Sequence, residues 1–240
     1  MGNELLFRLR EAAPWSWPAP CPGPSTLAHL VGWPAARADE LAVRYDLGPL
    51  LAHTGPIERD ESLYTLDLLD RFAEAGTKGR GLDVGSKYGG YLPGLATHSA
   101  GGWDCIERDA HRRYLDGTTR RAVGEAIAAR FAGCRFIAGD VRELEGRYRR
   151  ITWFLPFVVE VPHLAWGLPR SLFDPVATLA AVWSLLEPGG ELLVLNQGEA
   201  ERDVQGELFA GAGIRAESLG AIESVLSPYR KSRFGWRARR

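Results

Sequence analysis

Cysteine is scarce in this 240-residue chain, and the three present, Cys21, Cys105 and Cys134, are odd in number and include no C-x-x-C pair. That excludes a disulfide framework and a thiolate-held zinc site. Cys105 and Cys134 lie in apolar runs, where a cysteine is expected as a reduced core residue. An excess of one charge is also lacking: 29 basic against 30 acidic side chains leave a net charge of -1, so no overall field draws the chain to nucleic acid or to an anionic membrane. No apolar run is long enough to cross a bilayer, and the start of the chain has no basic-then-apolar leader pattern. Leu6 stands where a myristoylation motif calls for Ser or Thr. The cytoplasm is therefore the expected location.

Hydrophobic residues make up 45% of the chain and charged residues 25%, the balance of an ordinary folded domain, so disorder throughout is excluded. The length suits one sizeable α/β domain with an appendage. Residues 1–55 are the expected appendage, and the main domain spans 56–240. In the appendage a short amphipathic helix over 4–12 is followed by Pro14, Pro18, Pro20, Pro22 and Pro24, which forbid regular structure and favour an extended path. Trp15, Trp17 and Trp33 punctuate this arm. Exposed indoles are costly in water, so the arm is expected to pack over the main domain as a lid, the alternative being that it docks elsewhere.

From Pro56 the pattern becomes regular. Leu63, Leu66, Leu69 and Phe72 recur at helical spacing, with Asp60 and Glu61 near the helix start and Gly76 past its end. Strands are expected over 81–84, 103–106, 135–138, 151–159 and 191–195, with Pro156 marking where the fourth leaves the sheet. Helices are expected over 91–99, over 110–131 with a break at Gly117, over 175–186 and over 199–210. Glu187-Pro188-Gly189-Gly190 reads as a turn, and two closing strands over 214–226 and 232–238 are joined by a loop at Pro228. Such alternation implies an open parallel sheet with helices on both faces, its final pair forming an antiparallel hairpin.

Gly81-Leu82-Asp83-Val84-Gly85-Ser86-Lys87-Tyr88-Gly89-Gly90 organises the rest: a buried strand, a glycine turn and a helix start. Glycine permits positive φ and a close ligand approach, and the following helix presents unpaired N–H groups. A nucleotide-like ligand with an anionic end and a purely structural turn both fit this stretch. In open α/β sheets ligands bind beyond the carboxyl ends of the strands. Those ends read, in order, Asp83 with Gly85, Glu107, Asp140, residues 154–157, and Asn196 with Gln197. Glu107 lies about 20 residues beyond the glycine turn, where a carboxylate can accept hydrogen bonds from both ribose hydroxyls. Asp140, with the backbone of Val141, suits an adenine amino group, and Asp83 can accept from a ligand ammonium.

Over residues 56–240 the sequence resembles the class I S-adenosylmethionine-dependent methyltransferases. The resemblance rests on Leu82-Asp83-Val84-Gly85 with Gly89, on Glu107, on Gly139-Asp140-Val141, on Leu186-Glu187-Pro188-Gly189-Gly190 and on the closing strand pair. It implies a Rossmann-like α/β fold, a seven-stranded mostly parallel sheet with an antiparallel last strand, and S-adenosyl-L-methionine as cofactor. By the same resemblance Asp83 and Gly85 lie against the methionine moiety, Glu107 holds the ribose and Asp140 contacts the adenine. Ser86, Lys87, Gly89, Arg108, Val141 and Phe154 complete the expected cofactor-binding set. Lys87 departs from the glycine many members carry there, and it faces either the methionyl carboxylate or solvent.

A nicotinamide oxidoreductase on the same architecture would show G-x-G-x-x-G, a spacing that Gly85, Gly89 and Gly90 do not keep. Residues 153–157 are not the Asn/Asp-Pro-Pro-aromatic signature of nucleobase amine methylation, which disfavours a base as acceptor. Glu160 and His163, in the segment after the fourth strand, are the candidate catalytic bases; His53, His98 and Tyr229 have no sequence link to the methyl group. Trp153, Phe154, Phe157 and Trp166 suggest an apolar or aromatic pocket for a small-molecule acceptor, or ordinary core and lid packing. The end of the chain, with Arg230, Lys231, Arg233, Arg237, Arg239 and Arg240, reads as a solvated face or as a contact for RNA phosphates or an anionic membrane. Transfer to a small organic acceptor is the expectation. The alternatives are a non-catalytic adenosyl-ligand binder and a methyltransferase acting on RNA or protein.

Overall fold

The computed structural model describes residues 2–19, 35–74, 78–99, 101–227 and 229–240. Pro20, Cys21, Pro22, Pro24, Trp33, Gly76 and Pro228 lie outside the described residues. Three helices come first: α1 (Gly2–Ala12), α2 (Ala35–Arg44) and α3 (Gly48–Ala52). A regular alternation follows, comprising α4 (Pro56–Phe72), β1 (Gly81–Val84), α5 (Leu92–His98), β2 (Trp103–Glu107), α6 (Arg120–Ala128), β3 (Arg135–Ala138) and β4 (Tyr148–Phe154). The chain closes with α7 (Glu160–Ala165), α8 (Pro175–Leu185), β5 (Leu186–Gln197), α9 (Gly198–Gly211), β6 (Ala216–Ala221) and β7 (Arg233–Arg239).

The strands form one seven-stranded sheet in the order β3-β2-β1-β4-β5-β7-β6. β1 through β5 pair in parallel, and β7 runs antiparallel to both β5 and β6. The inner strands are apolar throughout because helices cover both faces, and alternate residues serve alternate cores. Leu82, Val84, Ile151, Trp153, Leu192 and Val194 face one core with Leu179 and Val182 of α8 and Phe209 of α9. Cys105, Phe154, Leu193 and Leu195 face the other with Tyr64 and Leu68 of α4, Leu92 and Leu95 of α5 and Ile127 of α6. Each fully buried leucine among these contributes about 1.5–3 kcal/mol. α4 is buried on two sides, since its Leu63 and Leu66 also pack on Leu41 of α2 and Leu50 of α3.

Several boundaries differ from the sequence expectation for local reasons. β4 stops at Phe154 because Leu155 takes a left-handed conformation (φ 54°) ahead of Pro156. The helix expected from Ala110 begins only at Arg120: Gly117 turns the chain at φ 82°, and the Thr119 side chain caps the helix by accepting from the Ala122 N–H. The turn expected at 187–190 is an excursion within β5, where the register jumps from Tyr148–Leu186 to Arg150–Glu191. β6 is confined to Ala216–Ala221, shorter than its apolar pattern suggests. Strand order reverses between β1 and β4, which opens a crevice at their carboxyl ends, and the site lies there.

Candidate functional site

The turn after β1 is laced to the end of β2. Gly85 (φ 70°) and Ser86 both donate backbone N–H bonds to the Ile106 carbonyl, at 2.9 and 3.1 Å. Lys87 then enters the left-handed region (φ 58°), a conformation costing about 1–2 kcal/mol for a residue with a Cβ. That step aims its N–H at Glu107 Oε2, 2.8 Å away, while the Asp109 N–H donates to Oε1 at 2.8 Å. Glu107 is 8% exposed, and burial pushes its carboxyl above the usual range against the charge of Arg120, whose Nη1 lies 3.6 Å off, and the two amides.

Asp83 sits below this turn. It is 1% exposed and accepts from Thr152 Oγ1 at 2.8 Å through Oδ1, while Oδ2 is buried without a hydrogen-bond partner. Burial pushes its carboxyl up to about 7, with the Thr152 hydroxyl opposing and the Glu107 charge reinforcing the shift. Asp83 and Gly89 do not border the cavity above them.

That cavity has a volume of about 380 Å³, within the span of small-molecule sites. Gly85, Ser86, Lys87, Glu107, Arg108, Asp140 and Val141 form one side; Trp153, Phe154, Phe157, Trp166 and Phe173 form an apolar wall; and Glu61, Tyr88, Tyr91, Gln197, Glu201 and Tyr229 form a polar end. Five carboxylates (Glu61, Glu107, Asp140, Asp174, Glu201) and three cations (Lys87, Arg108, Arg142) border it, an excess of two negative charges. Asp140 caps the short turn after β3 by accepting from the Arg142 N–H at 2.9 Å, and the Arg142 guanidinium grips both of its oxygens. Burial alone would raise the Asp140 carboxyl, but Arg142 and the more distant Arg108 hold it below its usual range.

α1 packs beside the cavity, against α7 and the segments after α7 and β2. Asn3 donates to the Leu164 and Leu168 carbonyls at 2.9 and 3.0 Å, Arg10 pairs with Asp109 at 3.1 Å, and the Arg108 guanidinium lies 4.8 Å from the Phe7 ring. Trp15 and Trp17 pack edge to face beyond it and do not border the cavity.

His163 borders the cavity, edge-on to Phe157 and Phe173. Its Nε2 lies 2.8 Å from the Pro169 carbonyl, and because a carbonyl only accepts, Nε2 carries the proton. Glu160 does not border the cavity; it accepts from exposed Arg170 at 2.6 Å. Gln197 borders it and accepts from Arg233, whereas Asn196 is fully buried outside it. His98 sits against Arg150, and His53 against Phe131. Much of the basic chain end is engaged within the protein: Arg233 on Gln197, Arg237 on Glu217, Arg239 near Glu191 and Arg240 on the Leu186 carbonyl. Glu61 and Glu201 were not readable as site residues. Glu61 looks like an acid favouring a helix start, and its contact with Tyr229 joins positions 168 apart.

No protein-family model and no curated protein matches the sequence. Solved structures do. An S-adenosylmethionine-dependent methyltransferase from Aquifex aeolicus superposes with a TM-score of 0.51 at 16% identity, covering 75% of this chain and 92% of that one. The YcgJ protein of Bacillus subtilis gives 0.52 at 10% identity, covering 74% and 98%. The phosphoethanolamine N-methyltransferase 2 of Haemonchus contortus, crystallised with S-adenosyl-L-methionine, gives 0.50 at 14% identity, covering 74% of this chain and 52% of that one. The chain has the class I methyltransferase fold. Within it, no helix among the described residues is long and apolar enough to cross a membrane, and none of their His, Cys, Asp and Glu side chains gather in threes to hold a metal ion.

Proposed function

We propose that the protein transfers a methyl group from S-adenosyl-L-methionine to a small organic acceptor with an apolar or aromatic body. The observation that carries this reading is Glu107: a buried carboxylate at the end of β2, steadied by two backbone amides and bordering the cavity beside the Gly85 turn. A carboxylate so placed serves ribose hydroxyls. The excess of two acids on the walls favours a cationic ligand. Gly85 and Ser86 bring backbone close to the methionine moiety, and Asp140 with Val141 faces the adenine.

When bound, the cofactor supplies an electrophilic methyl carbon. The chain then has to align the acceptor and exclude water. Phe154, Phe157 and Trp166 supply the aligning wall. His163 of α7 donates its Nε2 proton to the Pro169 carbonyl, which leaves Nδ1 as its basic nitrogen. Glu201, which borders the same cavity, is a second candidate proton acceptor: burial raises its carboxyl above the usual range against the Gln197 amide and the charges of Arg233 and Lys231. An RNA-directed reading gains little from a basic end in which Arg233, Arg237 and Arg240 are engaged internally.

Calorimetry with adenosylhomocysteine and NADH, then label transfer from methyl-labelled cofactor to pooled amines, phenols and acids, tests the proposal. Adenosylhomocysteine binds, NADH does not, and Glu107→Ala removes both binding and transfer. Tight adenosylhomocysteine binding with no transfer to any pool would leave a non-catalytic binder, and NADH binding would sink the cofactor assignment.

A further inference from the structure

The polar end of the cavity is built from side chains of α4, the turn after β1 and the segment before β7. There Glu61 of α4 accepts from the Tyr88 hydroxyl at 2.7 Å through Oε2 and from the Tyr229 hydroxyl at 3.1 Å through Oε1. Tyr91 stands edge-on to Phe154 at 5.4 Å, and Tyr229 edge-on to Tyr64 at 5.5 Å, so aromatic rings surround the carboxylate. Gly90 is what lets it sit there: a Cβ at that position would come within 2.5 Å of Glu61 Oε2 and 3.0 Å of the Tyr88 ring.

Among the described residues no Lys, Arg or His forms an ion pair with Glu61, which accepts from the two hydroxyls. The nearby cations lie against the tyrosines instead, with Lys87 Nζ 4.9 Å from the Tyr88 ring and the Arg233 guanidinium 4.6 Å from the Tyr229 ring. A carboxylate with two hydroxyl donors keeps lone pairs free on both oxygens, and tyrosine faces attract cations. Asp83, the acid expected to receive a ligand ammonium, lies under the turn and does not border the cavity.

We infer that Glu61, set between Tyr88 and Tyr229, is a binding site for an alkylammonium group. Resting on the methyl-transfer reading, that group has two sources: the methionyl end of the cofactor, or an amine carried by the acceptor. Four probes separate them by titration calorimetry: adenosylhomocysteine, methylthioadenosine (the same adenosyl thioether without its amino-acid end), phenethylammonium and its neutral analogue phenylethanol, the last two in the presence of methylthioadenosine.

Glu61→Gln is expected to weaken one ammonium probe by about ten- to a hundredfold and to leave methylthioadenosine and phenylethanol within about twofold. Loss on adenosylhomocysteine assigns the site to the cofactor, and loss on phenethylammonium assigns it to the acceptor; either supports the inference. Tyr229→Phe, which keeps the carboxylate and removes one donor, weakens the same probe by about two- to tenfold, and Gly90→Ala, which crowds the carboxylate, does likewise. These two variants carry the test should Glu61→Gln not fold. Unchanged affinity for both ammonium probes, or equal losses on charged and neutral partners, overturns the inference. If neither adenosyl probe binds the unmodified protein while phenethylammonium does, the methyl-transfer reading falls and the ammonium site stands.

Discussion

At the amino-terminal rim of the sheet Asp104, with no exposed surface, is closed in by Arg80, by Arg135 at 2.7 and 2.8 Å and by the Tyr148 hydroxyl at 2.8 Å. At the carboxyl-terminal rim Asp83 is as deeply buried, yet it has one hydroxyl partner and an oxygen with none. Burial would raise both carboxyls; at Asp104 the hydrogen bonds from Arg135, Arg80 and Tyr148 win and hold it below its usual range, while at Asp83 burial wins. The same contrast separates Arg150, paired with Glu191 at 3.3 Å beside His98, from Glu107, whose carboxyl burial raises. One rim uses charges to close the fold. The other keeps Asp83 and Glu107 with raised carboxyls beside the Arg142-paired Asp140, and in an α/β sheet that is the rim where strand ends meet ligands.

Substitutions on the two rims sharpen this contrast. Asp104→Ala leaves two guanidinium groups and a phenol without their shared acceptor and is expected to cost about 3 kcal/mol or more of stability, read from urea unfolding, with no direct effect on adenosylhomocysteine affinity in the folded fraction. A ligand-binding defect larger than the stability defect would erase the distinction. Asp83 is next. Its folded carboxyl titrates near 7, above the unfolded value near 4, so its contribution is fully present below about pH 4 and is lost as pH rises through about 7. The urea midpoint is therefore expected to fall from pH 5 to pH 8, and Asp83→Asn to flatten that slope; an unchanged slope would show that Asp83 is ionised in the fold throughout.

Glu107→Gln is expected to weaken adenosylhomocysteine by about 1.5–3 kcal/mol, measured by calorimetry, with a much smaller change in the unfolding midpoint. The reverse pattern would move Glu107 to the structural class. The smallest effect is at Glu160, whose pair with exposed Arg170 is screened by solvent: Glu160→Gln should barely move the thermal midpoint.

What the chain order determined is the sheet and its rim. Apolar runs of strand length alternating with helical periods permit a doubly covered parallel sheet, and Gly85, Glu107 and Asp140 each follow such a run, so their places at strand ends were legible from neighbours a few residues away. The beginning of α6 was not, because the Gly117 turn and the Thr119 cap compete with a helix-compatible composition that extends past them. Neither was the inward or outward facing of a strand-end acid: Asp83 and Glu107 look alike in sequence, and only the positions of Thr152 and of the Lys87 amide bury one beneath the turn and leave the other at the cavity wall. The tertiary structure alone brought Glu61 to Tyr88 and Tyr229, across 27 and 168 positions, because a side-chain cluster forms where α4, the glycine turn and the segment before β7 converge, and no local periodicity records that meeting.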